Sequence, residues 1–469
     1  MDTVIGTAEA VRGGTRAAGD VVEECLARIA AGNDALNAFV HVDADGARRA
    51  AEEVDAAVAR GEGELLGPLA GVPFGVKDLE DCAGMPTSHG SLLYKGLGPV
   101  VADSEHVARL RRAGAIPVGK TAAPEFGTLQ YTFTKAWGAT GNAWDPTRTP
   151  GGSSGGTAAA VAAGMLPFGT ASDGGGSTRI PAGFSGLVGL KPSHGRIPHP
   201  DDDPSETACY GALTTTVADS ARHLDVTAGP HETDRLSLPP PGVRYEEVIE
   251  HLDTSGLRIG WSTDLGFAHV DPEVAELARA AAEETARAAG AELVEVDVHL
   301  TDPVATWLSA GAMSLWLGID EAQHWPERAE DLTPFVRFSL EATADRPLRT
   351  LAKGYRRRLR LQADMAALFA DLDVLMTPTT AVTAFPAAGP PPTEIAGVEV
   401  NPAMSVPFTM LANLCWNPAL SVPAGLASDG LPVGLQIIGR RHRDEVPLRL
   451  GRLLEQTRPW PLTAPGWDL

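Results

Sequence analysis

Gly151-Gly152-Ser153-Ser154-Gly155-Gly156, followed further on by Ser172-Asp173-Gly174-Gly175-Gly176-Ser177-Thr178-Arg179, decides how this chain is read. Two hydroxyl side chains, Ser153 and Ser177, each stand among glycines. Glycine removes Cβ, admits positive φ and lets a ligand approach backbone N–H groups closely. The small residues from Thr157 to Gly164 read as a buried helix joining the two loops. Upstream, Gly75-Val76-Lys77-Asp78 puts a lysine at the end of a short apolar run. Serine is a poor nucleophile until a base takes its proton, and a desolvated, neutral lysine can be that base. Two serines, one lysine and glycine amides for an oxyanion suffice for acyl transfer without histidine or metal.

The surrounding composition is that of an ordinary globular protein. Of 469 residues, 43% are hydrophobic and 21% charged, which permits an ample core. A formal net charge of −22 argues against nucleic acid and anionic membrane as partners. Only six lysines occur (77, 95, 120, 135, 191 and 353), so arginine is the default surface cation. A lysine retained against that bias can offer what arginine lacks, the loss of its proton on burial. Cys25, Cys82, Cys209 and Cys415 are scattered without a CxxC pair, which suggests neither a disulfide framework nor a zinc site. The first twenty residues lack a basic-then-apolar leader, and cytoplasm is the expected compartment.

Helix and strand signals alternate along the chain. Asp20 is read as the cap of a helix through Ala30, and a second, more polar helix is expected from Asp43 to Arg60. Leu69 to Val76 reads as a strand, Ser104 caps a helix that Gly114 ends, and residues 116–119 follow as a strand. The same rhythm returns at 272–298 and 359–377, and 420–423 with 433–438 reads as a terminal pair of strands. This alternation argues for α/β layering on a mixed sheet. Residues 301–341, with Trp307, Trp316 and Trp325, are irregular: either helices packing tryptophan on the core or a variable cap over the site.

The chain resembles the amidase signature family. The resemblance rests on Gly141-Asn142, Pro150-Gly-Gly-Ser-Ser-Gly-Gly-Thr157, Asp173-Gly-Gly-Gly-Ser-Thr-Arg-Ile-Pro181 and Val188-Gly-Leu-Lys-Pro192. It extends to Leu66-Gly-Pro-Leu-Ala-Gly-Val-Pro-Phe-Gly-Val-Lys-Asp78, Asp373-Val-Leu-Met-Thr-Pro-Thr379, Pro418-Ala-Leu-Ser-Val-Pro423 and Gly430-Leu-Pro-Val-Gly-Leu-Gln436. Residues 301–341 and 386–406 are its least typical parts. The resemblance implies one large α/β domain around a twisted mixed sheet covered by helices on both faces. Within it, 1–65 would hold N-terminal helices, 66–225 the catalytic core, and 300–345 a variable, cap-like region. Residue by residue it implies Ser177 as the acylated nucleophile, Ser153 as the bridging serine after a cis peptide bond, and Lys77 as general base. The amides of Gly174, Gly175 and Gly176, with Ser177, match the oxyanion hole. No metal or cofactor is implied, and a homodimer is admitted.

The neighbouring residues keep two readings each. Ser154 is read as the N-cap of the Thr157 helix beside its supporting place in the motif. Asp173 and Arg179 either brace the nucleophile loop or form a plain structural ion pair. Substrate contacts are expected from Met85, Phe126, Leu129, Trp137, Cys415 and Trp416, which stand in aromatic and apolar segments with few cations. That character suits a neutral hydrophobic, aryl or oligoamide substrate. The glutamine-hydrolysing subunit of a tRNA-dependent amidotransferase is the alternative within the family. Outside it, a non-catalytic phosphate-binding module would use glycine loops before helices, but Gly155-Gly156-Thr157 lacks the lysine of that pattern. A nucleophile elbow also fails, because Trp144 to Pro150 is no strand.

Overall fold

In the computed structural model, which describes residues 2–200, 203–319 and 324–467, eleven strands form one mixed sheet. In spatial order they are Phe39–Val42, Ile116–Thr121, Pro73–Lys77, Phe168–Asp173, Cys209–Thr214, Val188–Lys191, Ala419–Leu426, Pro432–Gly439, Val374–Pro378, Arg258–Trp261 and Glu292–Glu295. Parallel pairs lie toward both ends, joined across the middle by antiparallel ones.

Helices cover both faces, so the central strands are buried on each side. Val374 and Met376 pack into the core beneath helices Val217–Thr227, Pro272–Ala289 and Glu445–Thr457. Leu375 between them faces the opposite core, beneath Leu348–Asp371. This period-two exchange of sides is what strand geometry requires. The expected α/β domain with a twisted mixed sheet is the observed architecture.

Two boundary expectations are corrected. The first long helix runs Ala18–Leu36, with Asp20 inside its first turn and no side-chain cap from Ala17. Its free amides are taken from afar: Asp55 Oδ1 and Oδ2 accept from the N–H groups of Ala18 and Gly19 at 2.6 and 2.9 Å. A cap lent by the next helix, Ala44–Ala59, leaves no local signal. The helix expected from 359 starts at Leu348 and runs to Asp371. By contrast Asp43 and Ser104 do cap their helices, accepting from the amides of Gly46 and Val107.

Residues 301–341 hold helix Val304–Leu317 and helix Pro334–Glu341; the first packs against both the second and Leu348–Asp371. Residues 320–323 of this region lie outside the described residues. No helix among the described residues is long and apolar enough to cross a membrane.

Candidate active site

Lys77 ends its strand with its whole side chain buried. Its amide donates to Thr170 Oγ1 at 2.9 Å, which ties it to the parallel neighbour strand Phe168–Asp173. Two residues on, Ser172 faces the same way. Lys77 Nζ lies 2.9 Å from Ser172 Oγ, 3.2 Å from Ser172 O and 2.8 Å from Ser153 Oγ. Burial lowers its pKa from 10.5 to about 7, against the opposing pull of Glu80 and Asp173. A neutral amine has two hydrogens and one lone pair. The two Ser172 oxygens can take the hydrogens, which leaves the lone pair for the Ser153 hydroxyl.

The loop 151–154 brings Ser153 to that amine through a cis Gly152–Ser153 peptide bond. Ser154 then stands at the N-cap position of helix Gly155–Ala162, but its hydroxyl makes no capping bond and is buried without a partner. The expected cap bond is therefore absent. The Ser154 amide instead donates to the Ser177 carbonyl at 3.2 Å, which sets the two serine loops side by side.

The second loop is braced by a buried ion pair. Arg179 Nε and Nη2 meet Asp173 Oδ2 and Oδ1 at 3.0 and 2.8 Å. Burial opposes the Asp173 charge, yet Arg179 and Asn413 hold its pKa down at about 2. Arg179 Nη1 also donates to Thr409 O and Gln436 Oε1, and Nη2 to Asn413 Oδ1. Asp173 accepts from the amides of Gly176, Thr178 and Arg179 as well. Both readings of this pair meet in one arrangement, since the ion pair is what holds the loop. Gly176, one of the three amides expected at the oxyanion hole, is thus already engaged at 2.7 Å. The amides of Gly174, Gly175 and Ser177 have no protein acceptor among the described residues.

Ser153, Ser172, Gly174, Gly175 and Ser177 open onto a cavity of about 780 Å³. Trp307, Leu308, Leu315, Phe335 and Phe338 form its apolar wall, together with Leu79 and Phe126. Trp307 and its four companions come from the helices between 304 and 341, so this region supplies one wall of the cavity. Trp307 Nε1 donates to Gly174 O at 2.8 Å, and Thr409 Oγ1 to Gly175 O at 2.7 Å. Gly175 is required here: a Cβ would come within 2.5 Å of Trp307 Nε1. Phe126 and His89 line the cavity with φ of +49° and +50°, a conformation that costs non-glycine residues about 1–3 kcal/mol and collects at functional sites. The acidic side chains of Asp81, Asp103 and Asp203 also line it, and Arg346 is the one arginine or lysine doing so among the described residues.

Of the residues expected to contact substrate, Phe126 alone lines this cavity. Met85 is packed in the core with Val4, Leu69 and Val76. Leu129 sits against Gly152, where its carbonyl and the Tyr131 amide nitrogen would each stand 2.6 Å from a Cβ at that glycine. Trp137 donates to Ser88 Oγ at 2.8 Å under the Lys95 ammonium, which lies 4.1 Å from its ring. Cys415 is buried against the helix Leu348–Asp371, and Trp416 donates to Glu206 O while stacking on His194. Aromatic composition located pocket-like segments but could not say which way each ring turned. Ser172 and Trp307 were missed as site residues. The alternation of Thr170 and Ser172 along one strand was a usable signal for Ser172; Trp307 had none beyond its place in the irregular region.

Comparison with known proteins places the chain in a family. The Amidase family profile matches residues 20–448. An acylamidase of Rhodococcus erythropolis is 36% identical over 96% of this chain and 94% of its own length. A glutamyl-tRNA(Gln) amidotransferase subunit of a Synechococcus species is also 36% identical, covering 96% of each chain. The crystal structure of a bacterial aryl acylamidase of the amidase signature family superposes with a TM-score of 0.92 at 28% identity, over 98% of this chain and 96% of that one. With the family profile spanning nearly its whole length, the chain belongs to the amidase signature family and is an amide-hydrolysing enzyme.

Proposed function

We propose that the chain hydrolyses neutral amides with an apolar or aryl portion through an acyl-enzyme on Ser177. The observation that carries this reading is the buried Lys77 amine, whose pKa is lowered to about 7 and which lies 2.8 Å from Ser153 Oγ, beside the cavity that Ser177 faces. In acylation, Ser177 Oγ attacks the carbonyl carbon and passes its proton to Ser153, whose own proton goes to Lys77. The amides of Gly174, Gly175 and Ser177 are the donors free to meet the oxyanion; each such donor is worth about 2.7–4 kcal/mol. The C–N bond then breaks, and the proton returns through Ser153 to the departing amine. Water attacks the ester by the same relay and releases the acid.

The substrate class follows from the wall of the cavity. Indole, phenyl and leucine surfaces favour an apolar group, and the carboxylates of Asp81, Asp103 and Asp203 oppose a negatively charged one. The amidotransferase relative keeps glutamine as a second reading. Mass spectrometry after brief exposure to a fluorophosphonate should place the adduct on Ser177; an adduct on Ser153 with Ser177 untouched refutes the assignment. A kcat/KM series over an aryl anilide, a peptide amide, an oligoamide, acetamide and glutamine tests the substrate. Preference for glutamine over every apolar amide would transfer the chain to the amidotransferase reading.

A further inference from the structure

The whole-chain charge of −22 hides one strongly basic stretch. Between positions 346 and 360 lie seven cations and no acidic residue. At physiological salt a charge acts over about 8 Å, so a partner at this surface meets the local sign rather than the average. Arg358 is buried and donates to the carbonyls of Leu414, Ser205 and Glu206. Arg349, Lys353, Arg356, Arg357 and Arg360 are exposed, and none has a carboxylate partner among the described residues.

Helix Leu348–Asp371 carries three faces. Gly354, Arg358, Leu361, Met365 and Phe369 form the inward one. There Gly354 admits the helix Val304–Leu317, since a Cβ would meet Ser309 Oγ at 2.3 Å. Leu348, Ala352, Tyr355, Leu359, Ala363 and Ala366 recur at the same helical spacing on an adjoining face. That face is open: Leu348 is 80% exposed, Tyr355 60% and Leu359 49%. The free cations occupy the third face, beside the open apolar stripe. An apolar stripe flanked by Lys and Arg is the pattern of a helix lying in a lipid–water boundary.

Two copies of the chain are a poorer occupant. The stripe is centred near Arg357, so a two-fold pairing along it would bring the Arg356, Arg357 and Arg360 side chains of both copies together. Like charges at such distances repel. We propose that the outer face of Leu348–Asp371 seats on an anionic lipid surface, its apolar stripe in the headgroup boundary and its cations against the phosphates. This surface is separate from the catalytic groups and stands whatever amide the enzyme prefers.

Flotation of the full chain with vesicles tests it, comparing phosphatidylglycerol-rich with pure phosphatidylcholine membranes at low and high salt. Binding is expected on the anionic vesicles, weakened by salt, and absent on the zwitterionic ones. Each basic side chain near such a surface is worth about five-fold in partitioning, so combining Arg349→Gln, Lys353→Gln, Arg356→Gln and Arg360→Gln should lower it by two to three orders of magnitude. Combining Leu348→Ser, Tyr355→Ser and Leu359→Ser should weaken it at constant charge. Unchanged hydrolysis of a soluble anilide shows that both variants are folded. Equal binding to the two vesicle types, undiminished binding by the charge variant, or self-association without lipid that the same variants abolish would each overturn the proposal.

Discussion

Replacing Lys77 by methionine should change stability in a way that reads the lysine's protonation directly. Lys77 loses its proton near 7 in the folded protein, whereas the unfolded chain holds it until about 10.5. At about 1.4 kcal/mol per pH unit, keeping this group buried costs about 4 kcal/mol at pH 7. Below about 7 both states are protonated and the cost is constant. Between about 7 and 10.5 the unfolded chain binds more protons than the folded one, so wild-type stability rises with pH relative to the variant. Above that window neither state is protonated and the cost is gone. Methionine removes the titration but also the contacts to Ser153 Oγ, Ser172 Oγ and Ser172 O, worth about 1 kcal/mol each. The variant should therefore match or slightly exceed the wild type near pH 7 and fall behind by about 2 kcal/mol near pH 9.5. With about 2.1 cal/mol/K of unfolding entropy per residue, a change of about 3 kcal/mol in the gap corresponds to roughly 3 °C. Thermal scans of both proteins at the two pH values, at one scan rate, measure it. A gap that stays fixed across the window, or moves the other way, means that Lys77 is charged in the folded enzyme and is not the base.

Other expectations follow from the same site. The kcat/KM for a neutral amide should rise tenfold per pH unit up to about 7 and level off above it, because the neutral form of Lys77 is the active one. Lys77→Arg, which cannot lose its proton, should be as inactive as Lys77→Ala in a single-turnover assay. Gly175→Ala should push Trp307 off the Gly174 carbonyl and lower kcat by about 10²–10³-fold with little loss of thermal stability. Asp173→Asn leaves Arg179 buried without its counter-charge and should cost about 3–5 kcal/mol in denaturant unfolding.

Lys77, Ser153 and Ser177 stood out in the sequence because the chemistry proposed for them dictates local sequence. Glycines must flank a hydroxyl that approaches backbone amides, and Lys77 must end an apolar run to be desolvated. Strands 374–377, 420–423 and 433–438 were legible as short, mostly apolar runs, whereas Phe168–Asp173, Val188–Lys191 and Cys209–Thr214, which mix glycine and polar residues into buried strands, were not read as strands. What could not be read depends on partners distant in sequence. The cap of helix Ala18–Leu36 is lent by Asp55. Met85 and Phe126 stand in equally apolar stretches, yet Met85 turns into a core and Phe126 into the cavity. Lysine scarcity was a weak guide, since Lys120 and Lys191 are as buried as Lys77. Lys120 spends its amine on Glu80 O and Thr87 Oγ1, and Lys191 on Pro192 O. Only at Lys77 does a serine of the glycine loops stand in reach.

The brace on the nucleophile loop also sets the order in which a newly made chain can become reactive. Arg179 is anchored to Thr409, Asn413 and Gln436, all in the last sixty or so positions. On the ribosome, Lys77, Ser153 and Ser177 emerge long before those anchors do, and N-terminal parts of a chain begin to fold first. Until that C-terminal segment is in place, Arg179 holds only Asp173, and the Gly174 to Ser177 loop is braced by this local pair alone. A nascent or C-terminally clipped chain thus carries Lys77, Ser153 and Ser177 while lacking the Thr409, Asn413 and Gln436 half of the brace on the second serine loop.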